Sequence, residues 1–541
     1  MLLQPRAESM RSQPRVPWLV AAGLILCACA PDFQDTTYQA YEVILRGPVP
    51  AEVGPTTDPF VQTVTYRAIV NYFEDSAGLV PYGSSLRNPP AYFKGFDPTV
   101  TLMYPATQTS FPLTADGQAA ALPRLSASQT TIYVASEIDG LDVGGNTIAK
   151  ARCPIQPLLL RTGSIPQTVL CQPFFGFTGQ WNQIRSPNTF RFDFAAAVLS
   201  DGRVVIGGGK STPPLGATPT NPDQAPDLDS VEIFNPTATD PSSPGTPGVW
   251  QLLPAALSAG RSQLTATATT SGLVVFAGGA GMAGLASETL SAAVDIFDGS
   301  TVSMRSGVPP LPTAVAQHAA ALLAGDVVYA GGGIAGALMQ PATKYEVISA
   351  TVGSTLGPTQ VAQRSFPCMV GLPATSQVLM CGGGASSCEL TSAAQSEVSG
   401  IMQTARGDVR CAAIGQSVYL VGGVLPDTPN TLGQLIEVWT NGTISMAGGS
   451  PAAALTNHGV AAAGSNLIVA GGYAQGNSTA PLNSGFSLNS TTGVITPLAT
   501  MNNHRARYQL VSIPDGTVMA IGGLIGSDDY SAVGAEVYVP R

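Results

Sequence analysis

Charge and aromatic rings are scarce in this sequence: Asp, Glu, Lys and Arg make up 11% of 541 residues, and Phe, Trp and Tyr 7%. Basic residues are the scarcer sign, 24 against 34 acidic, for a formal net charge of −10. No positive field is available to collect phosphates, so nucleic acid is not an expected partner. There are three histidines and no CxxC pair, and a structural zinc site is not expected. The sequence contains no G-x-S-x-G, H-E-x-x-H, P-loop or Asp-box motif. No catalytic residue, metal or cofactor is therefore expected. What is plentiful is glycine, 60 residues, and proline, 44, in a chain that is 44% apolar. Such a chain is too rich in turns for long helices and too hydrophobic for disorder, which leaves an all-β class.

The N-terminus reads as an address. From Met10, two arginines (Arg11 and Arg15) precede an apolar run over residues 16–28, too short for the roughly 20 residues that span a bilayer. Leu26-Cys27-Ala28-Cys29 resembles the bacterial lipobox. The resemblance implies a signal peptide over 1–28, lipidation at Cys29 and a tether over 29–37. Ala30, where an Asp would signal inner-membrane retention, implies a bacterial outer-membrane lipoprotein facing the periplasm or the cell surface.

Six cysteines then remain, an even number in an oxidising compartment, which suggests disulfides. Cys153 and Cys171 stand apart and most simply pair together. Cys368 and Cys381 flank a "PATS" turn and face each other across a hairpin, so their pairing is the first expectation, with Cys388–Cys411 following. Cys381–Cys388 with Cys368–Cys411 is the alternative.

Past residue 190 a glycine pair ends an apolar run seven times, beginning at Gly208, Gly278, Gly331, Gly382, Gly422, Gly471 and Gly522. Most intervals lie near fifty residues. An acid follows: Glu232, Asp295, Glu346, Glu397, Glu437 and Glu536, with Ser484-Gly485-Phe486 in its place in the sixth copy. An arginine precedes: Arg191, Arg261, Arg364, Arg406 and Arg505, with none in copies three and six. Turns such as "SDGR" and "PDGT" link the first two apolar runs, so each copy reads as four antiparallel strands.

These landmarks resemble the kelch repeat, over about residues 180–541. The resemblance implies a β-propeller of radially arranged four-stranded blades. The last copy stops one strand short at Arg541, while "GQWNQI" around Trp181 has the pattern of a fourth strand without a sheet. The expected fold is therefore a seven-bladed kelch-type β-propeller over 175–541, closed by an N-terminal strand that removes an exposed edge. It is preceded by a smaller β-rich, sandwich-like domain over 38–170, where "YEVIL", "VTYRAIVNYF" and "VTLMY" alternate as half-buried strands.

Repetition argues for a structural role for the arginines and acids, since a group needed once for chemistry need not recur every fifty residues. His318 and His458 share one repeat position in copies three and six and read as first-strand packing residues, while His504 precedes Arg505. The loops after the glycine pairs share one face with the connections between blades. That face, or the channel mouth, is where a ligand is expected, with Asp227, Asp229, Asp528, Asp529 and Tyr530 as candidate lining. The expected function is a lipid-anchored, non-enzymatic scaffold binding an envelope protein or glycan, with the membrane engaged only through the lipid. A galactose-oxidase-like or other sugar-modifying enzyme on the same blades is the alternative.

Overall fold

The computed structural model describes residues 40–45, 59–76, 78, 80–81, 91–94, 101–104, 110–113, 119–121, 130–160, 168–211, 225–240, 243–282, 288–305, 307–372, 374–425, 428–432, 436–448, 455–474, 480–526 and 534–541. The fold is all-β. Among the described residues the one α-helix is the short Pro59–Gln62, and no helix is long and apolar enough to cross a membrane.

The N-terminal part has a five-stranded sheet in the order Gly176–Phe177, Thr147–Leu159, Thr131–Leu141, Thr65–Phe73, Ala91–Lys94. In Thr65–Phe73 every second side chain (Tyr66, Ala68, Val70, Tyr72) is buried, as period-two alternation requires of a strand with one covered face. A three-stranded sheet sets Ala40–Ile44 between Thr101–Tyr104 and Thr168–Cys171. Val43 and Leu45 join Tyr66, Ile132, Val134 and Phe175 in one hydrophobic core. The Cys153–Cys171 disulfide, with Cα atoms 6.1 Å apart, links the two sheets. Closing a loop of this length removes about 3 kcal/mol of unfolded-chain freedom.

Among the described residues, seven four-stranded antiparallel sheets follow, numbered in chain order by their first strands: Ala195–Val198, Thr265–Ala268, Ala319–Ala324, Pro367–Leu372, Arg410–Ile414, Gly459–Ala463 and Gln509–Ser512. In sheets one to six all four strands are consecutive large strands of the chain. In sheet seven the outer strand is Trp181–Ile184, paired antiparallel with the C-terminal Ala535–Tyr538, and the Trp181 and Tyr538 rings pack 5.3 Å apart. The expected partner of the truncated last repeat is thus found there. Each first strand touches the first strand of the next sheet, and that of sheet seven touches that of sheet one.

The glycine pairs join these sheets. The N–H of a glycine at each pair donates to a main-chain carbonyl at the start of the next sheet: Gly209 to Arg261 O (2.9 Å), Gly279 to Val315 O (2.7 Å), Gly333 to Arg364 O (2.7 Å) and Gly384 to Arg406 O (3.0 Å). Gly423 reaches Leu455 O (2.9 Å), Gly472 reaches Arg505 O (2.8 Å), and Gly523 returns to Arg191 O (3.0 Å). Glycine is required because the bend is left-handed and tight. Gly208 has φ +67°, and a Cβ there would lie 2.6 Å from Arg261 O. In the third copy the bend falls at Gly332 and Gly333, one residue beyond the Gly331 pair-start expected from sequence. Gly331 itself ends the strand Val327–Gly331.

Of the two cysteine pairings left open, the structure has the alternative, Cys368–Cys411 with Cys381–Cys388. Cys368 and Cys381 do face each other in register, as the turn predicts, yet neither bonds to the other. Cys368 bonds Cys411 on the first strand of sheet five, and Cys381 bonds Cys388 on the third strand of its own sheet, with Cα atoms 5.9 and 4.3 Å apart. A hairpin reading sees only the neighbour in register. It misses Cys411, which the contact between adjacent first strands brings to Cys368, and Cys388 on the neighbouring third strand.

Candidate functional site

The repeated arginines and acids form one construction. Arg191 donates to Gly208 O (2.9 Å) and to Glu232 Oε1 (2.7 Å), and Glu232 also accepts the N–H groups of Asn188 (2.6 Å) and Thr189 (2.9 Å). Arg261–Asp295, Arg406–Glu437 and Arg505–Glu536 repeat it, with Ser258, Gln403 and Asn502 supplying the N–H three residues before the arginine. All of these arginines are fully buried. Burial lowers the pKa of Arg191, Arg261 and Arg406, and the paired acid opposes it. Each carboxylate thereby ties its arginine, its own strand and the connection from the previous sheet. In each, arginine and acid are hydrogen-bonded to one another inside the framework.

Sheet four corrects the sequence. Its acid is Glu389, which sits 3.5 Å from Arg364 and accepts the Tyr345 hydroxyl (2.6 Å) and the Val361 N–H (3.1 Å). Glu397, fifteen residues past Gly382, is exposed on the fourth strand Ser396–Ile401. The link to the third strand of this sheet is short, so counting from the glycine overshoots by one strand.

Two of the expected lining residues, Asp227 and Asp229, lie among the described residues. Asp227 is ion-paired with the buried Lys210 (3.1 Å), and Asp229 is exposed. Asp528, Asp529, Tyr530 and the lipidation candidate Cys29 lie outside the described residues. His318 and His458 are buried over Gly278 and Gly422 of the preceding sheets, and burial lowers their pKa values to about 4 and about 3. Both are neutral packing groups at pH 7. His504 is exposed, its Nδ1 2.9 Å from Pro481 O. Among the described residues no three His, Cys, Asp or Glu side chains cluster as metal ligands.

A different set of residues was not legible beforehand. Asp193, Gln263, Gln317, Phe366, Asp408, Asn457 and Arg507 each stand two residues after the position of the repeat arginine. All seven have left-handed backbone, with φ between 50° and 57°. For non-glycine residues this conformation is uncommon, and such residues concentrate at binding sites. Neighbours in the set are bonded to one another. Gln263 N–H donates to Asp193 O (3.0 Å), Phe366 N–H to Gln317 O (3.0 Å), Arg507 N–H to Asn457 O (3.2 Å), and Asp193 N–H to Arg507 O (3.2 Å). Asn457 N–H donates to Asp408 Oδ2 (2.7 Å).

The side chains of this set are half-buried, apart from the exposed Phe366. Arg507 Nε donates to Asp193 Oδ1 (3.0 Å). Burial alone would raise the Asp408 pKa, but the Arg410 charge and the hydrogen bonds from Thr456 and Asn457 hold it below the ordinary carboxylate range. Gln263 Oε1 has no hydrogen-bond partner. Two carboxylates, three amides, a guanidinium and an exposed phenyl ring therefore meet at the start of the seven first strands. Their only signal in the sequence is a fixed offset from the arginine, without any shared residue type. No protein-family model matches this chain, and no curated protein matches it.

Proposed function

We propose that the chain is a seven-bladed kelch-type β-propeller that acts as a non-enzymatic binding scaffold for an envelope glycan or protein. In this reading it is held to the bacterial outer membrane by lipid on Cys29. One observation carries it: seven sheets linked glycine-to-carbonyl in a returning order bring seven left-handed residues together at one end. Loops and strand starts displayed on a rigid framework are where recognition groups concentrate. Amides and carboxylates beside an exposed ring suit a polyol or polar peptide, the ring stacking on an apolar face while the polar groups satisfy hydroxyls or amides. Four of the repeat arginine–acid pairs support a non-enzymatic reading because both members are already engaged with one another within the framework.

The test is binding of the full chain to arrays of envelope glycans and peptides, followed by Phe366→Ala and Gln263→Ala. At least tenfold weaker binding with an unchanged unfolding midpoint is expected. Ligands found but indifferent to both variants would remove the ring from the reading. For the anchor, Cys29→Ala is expected to move the protein from the membrane to the soluble fraction.

A further inference from the structure

A cavity lies at the opposite end of the sheets from the glycine pairs. We propose that this cavity, between the N-terminal sheet and sheets one and seven, binds a compact, mainly apolar organic cation whose ammonium group sits against Asp515. The cavity has a volume of about 490 Å³. That lies within the range of small-molecule sites, which favour the seams between structural units. Its walls come from three places: Pro154 and Phe174 from the N-terminal part, Phe234 from sheet one, and Ile184 and Met519 from sheet seven. Ile184, Phe234 and Met519 are otherwise buried members of the core between sheets one and seven. Packed interiors leave few voids wider than a water molecule. Here the core side chains floor an open cleft, rimmed by the turn over residues 200–203, instead of closing over one another.

The polar groups specify the charge. Asp201 and Arg203 at the rim neutralise one another, with Nε 2.7 Å from Oδ2. Asp515 Oδ1 accepts the Thr517 N–H (2.9 Å) and hydroxyl (2.6 Å), whereas Oδ2 receives only the Phe174 N–H at 3.5 Å. The nearby Arg152 is engaged by Glu137 at 2.7 Å. Burial raises the Asp515 pKa, and its hydrogen bonds and the Arg152 charge only partly oppose this. Asp515 on the wall of this apolar chamber thus has spare acceptor capacity and, among the described residues, no ion-pair partner. An alkyl- or arylammonium ion supplies both the missing charge and the apolar bulk.

The test is calorimetric titration of the full chain with tryptamine, tryptophol and indole-3-acetate, which share a ring and differ in charge. Tryptamine is expected to bind at least tenfold more tightly than tryptophol, and indole-3-acetate most weakly. Asp515→Asn keeps an acceptor for Thr517. It should bring tryptamine down to the tryptophol level while leaving tryptophol within twofold. Ser200→Trp, which fills the chamber from a turn, should abolish binding of all three with an unchanged unfolding midpoint. An absent preference for the amine, a preference that survives Asp515→Asn, binding that survives Ser200→Trp, or no binding by any probe at millimolar concentration would overturn the proposal.

Discussion

Sheets three and six both lack the arginine that begins the other five, and they resolve its loss differently. In sheet six the acid is lost as well: Leu455 stands at the arginine position, and Phe486 pairs with Val469 where the other sheets carry their acid. Leu455 and Phe486 lie in one hydrophobic cluster. In sheet three Val315 replaces the arginine, but Glu346 stays, 3% exposed, with Oε2 unpaired. Pro312, three residues before Val315, cannot supply the N–H that the other acids receive, and Thr313 donates instead. An ion pair exchanged whole for packed apolar groups is close to neutral, whereas a half-removed pair leaves an uncompensated group. Sheet six is the first case and sheet three the second.

The largest expected effect comes from breaking the buried pair of sheet five and then exchanging it whole. Glu437→Phe alone strands the buried Arg406 and should cost about 3–5 kcal/mol, the range for removing one partner of a buried pair. Arg406→Leu with Glu437→Phe copies sheet six and should recover most of that loss. Denaturant unfolding of the two single variants and the double variant measures the coupling. A double variant as unstable as the sum of the singles would mean that sheet six is tolerated for some other reason.

Next comes a pH effect confined to sheet three. Burial raises the Glu346 pKa to about 7. The folded state therefore holds a proton that the unfolded chain releases near pH 4.5, so this group's contribution is full in acid and declines as pH rises through 7. The difference is about 3 kcal/mol between those limits. Glu346→Gln should flatten the stability profile between pH 5 and 8, and a profile unchanged by it would assign the dependence elsewhere. Gly423→Ala should cost less, about 1–3 kcal/mol. Its φ is +101°, and the new Cβ would meet Gly407 O at 2.5 Å.

Recurrence made the sheets legible, because a glycine pair that must bend left-handed toward the next sheet leaves the same mark each time. Arg191, Arg261, Arg406 and Arg505 were readable for the same reason, and so was the strand around Trp181, from the missing strand at the other end. The left-handed set was not readable. Its members, from Asp193 to Arg507, share a backbone conformation and a position but no chemistry. The choice between the two pairings of the last four cysteines stayed open for a related reason: which sulfurs meet depends on contact between sheets, and Cys411 reaches Cys368 across that contact. The charge on the cavity wall depends on Asp515 approaching the N-terminal Phe174, 341 positions away in sequence.

The smallest expected effect separates the two acids of sheet four. Spacing from Gly382 selects Glu397, while strand register selects Glu389, which pairs with Met380 two residues before the glycine. The equivalent Phe276–Asp295 and Leu420–Glu437 pairs hold the same place in sheets two and five. Glu397→Ala removes an exposed carboxylate and should change stability by no more than about 0.5 kcal/mol. Glu389→Ala leaves Arg364 and the Tyr345 hydroxyl buried without their acceptor, so it belongs with the broken pairs of sheet five. Thermal unfolding of the two variants side by side tests the assignment. Equal losses would mean that both carboxylates share the load and that the register rule does not extend to this sheet.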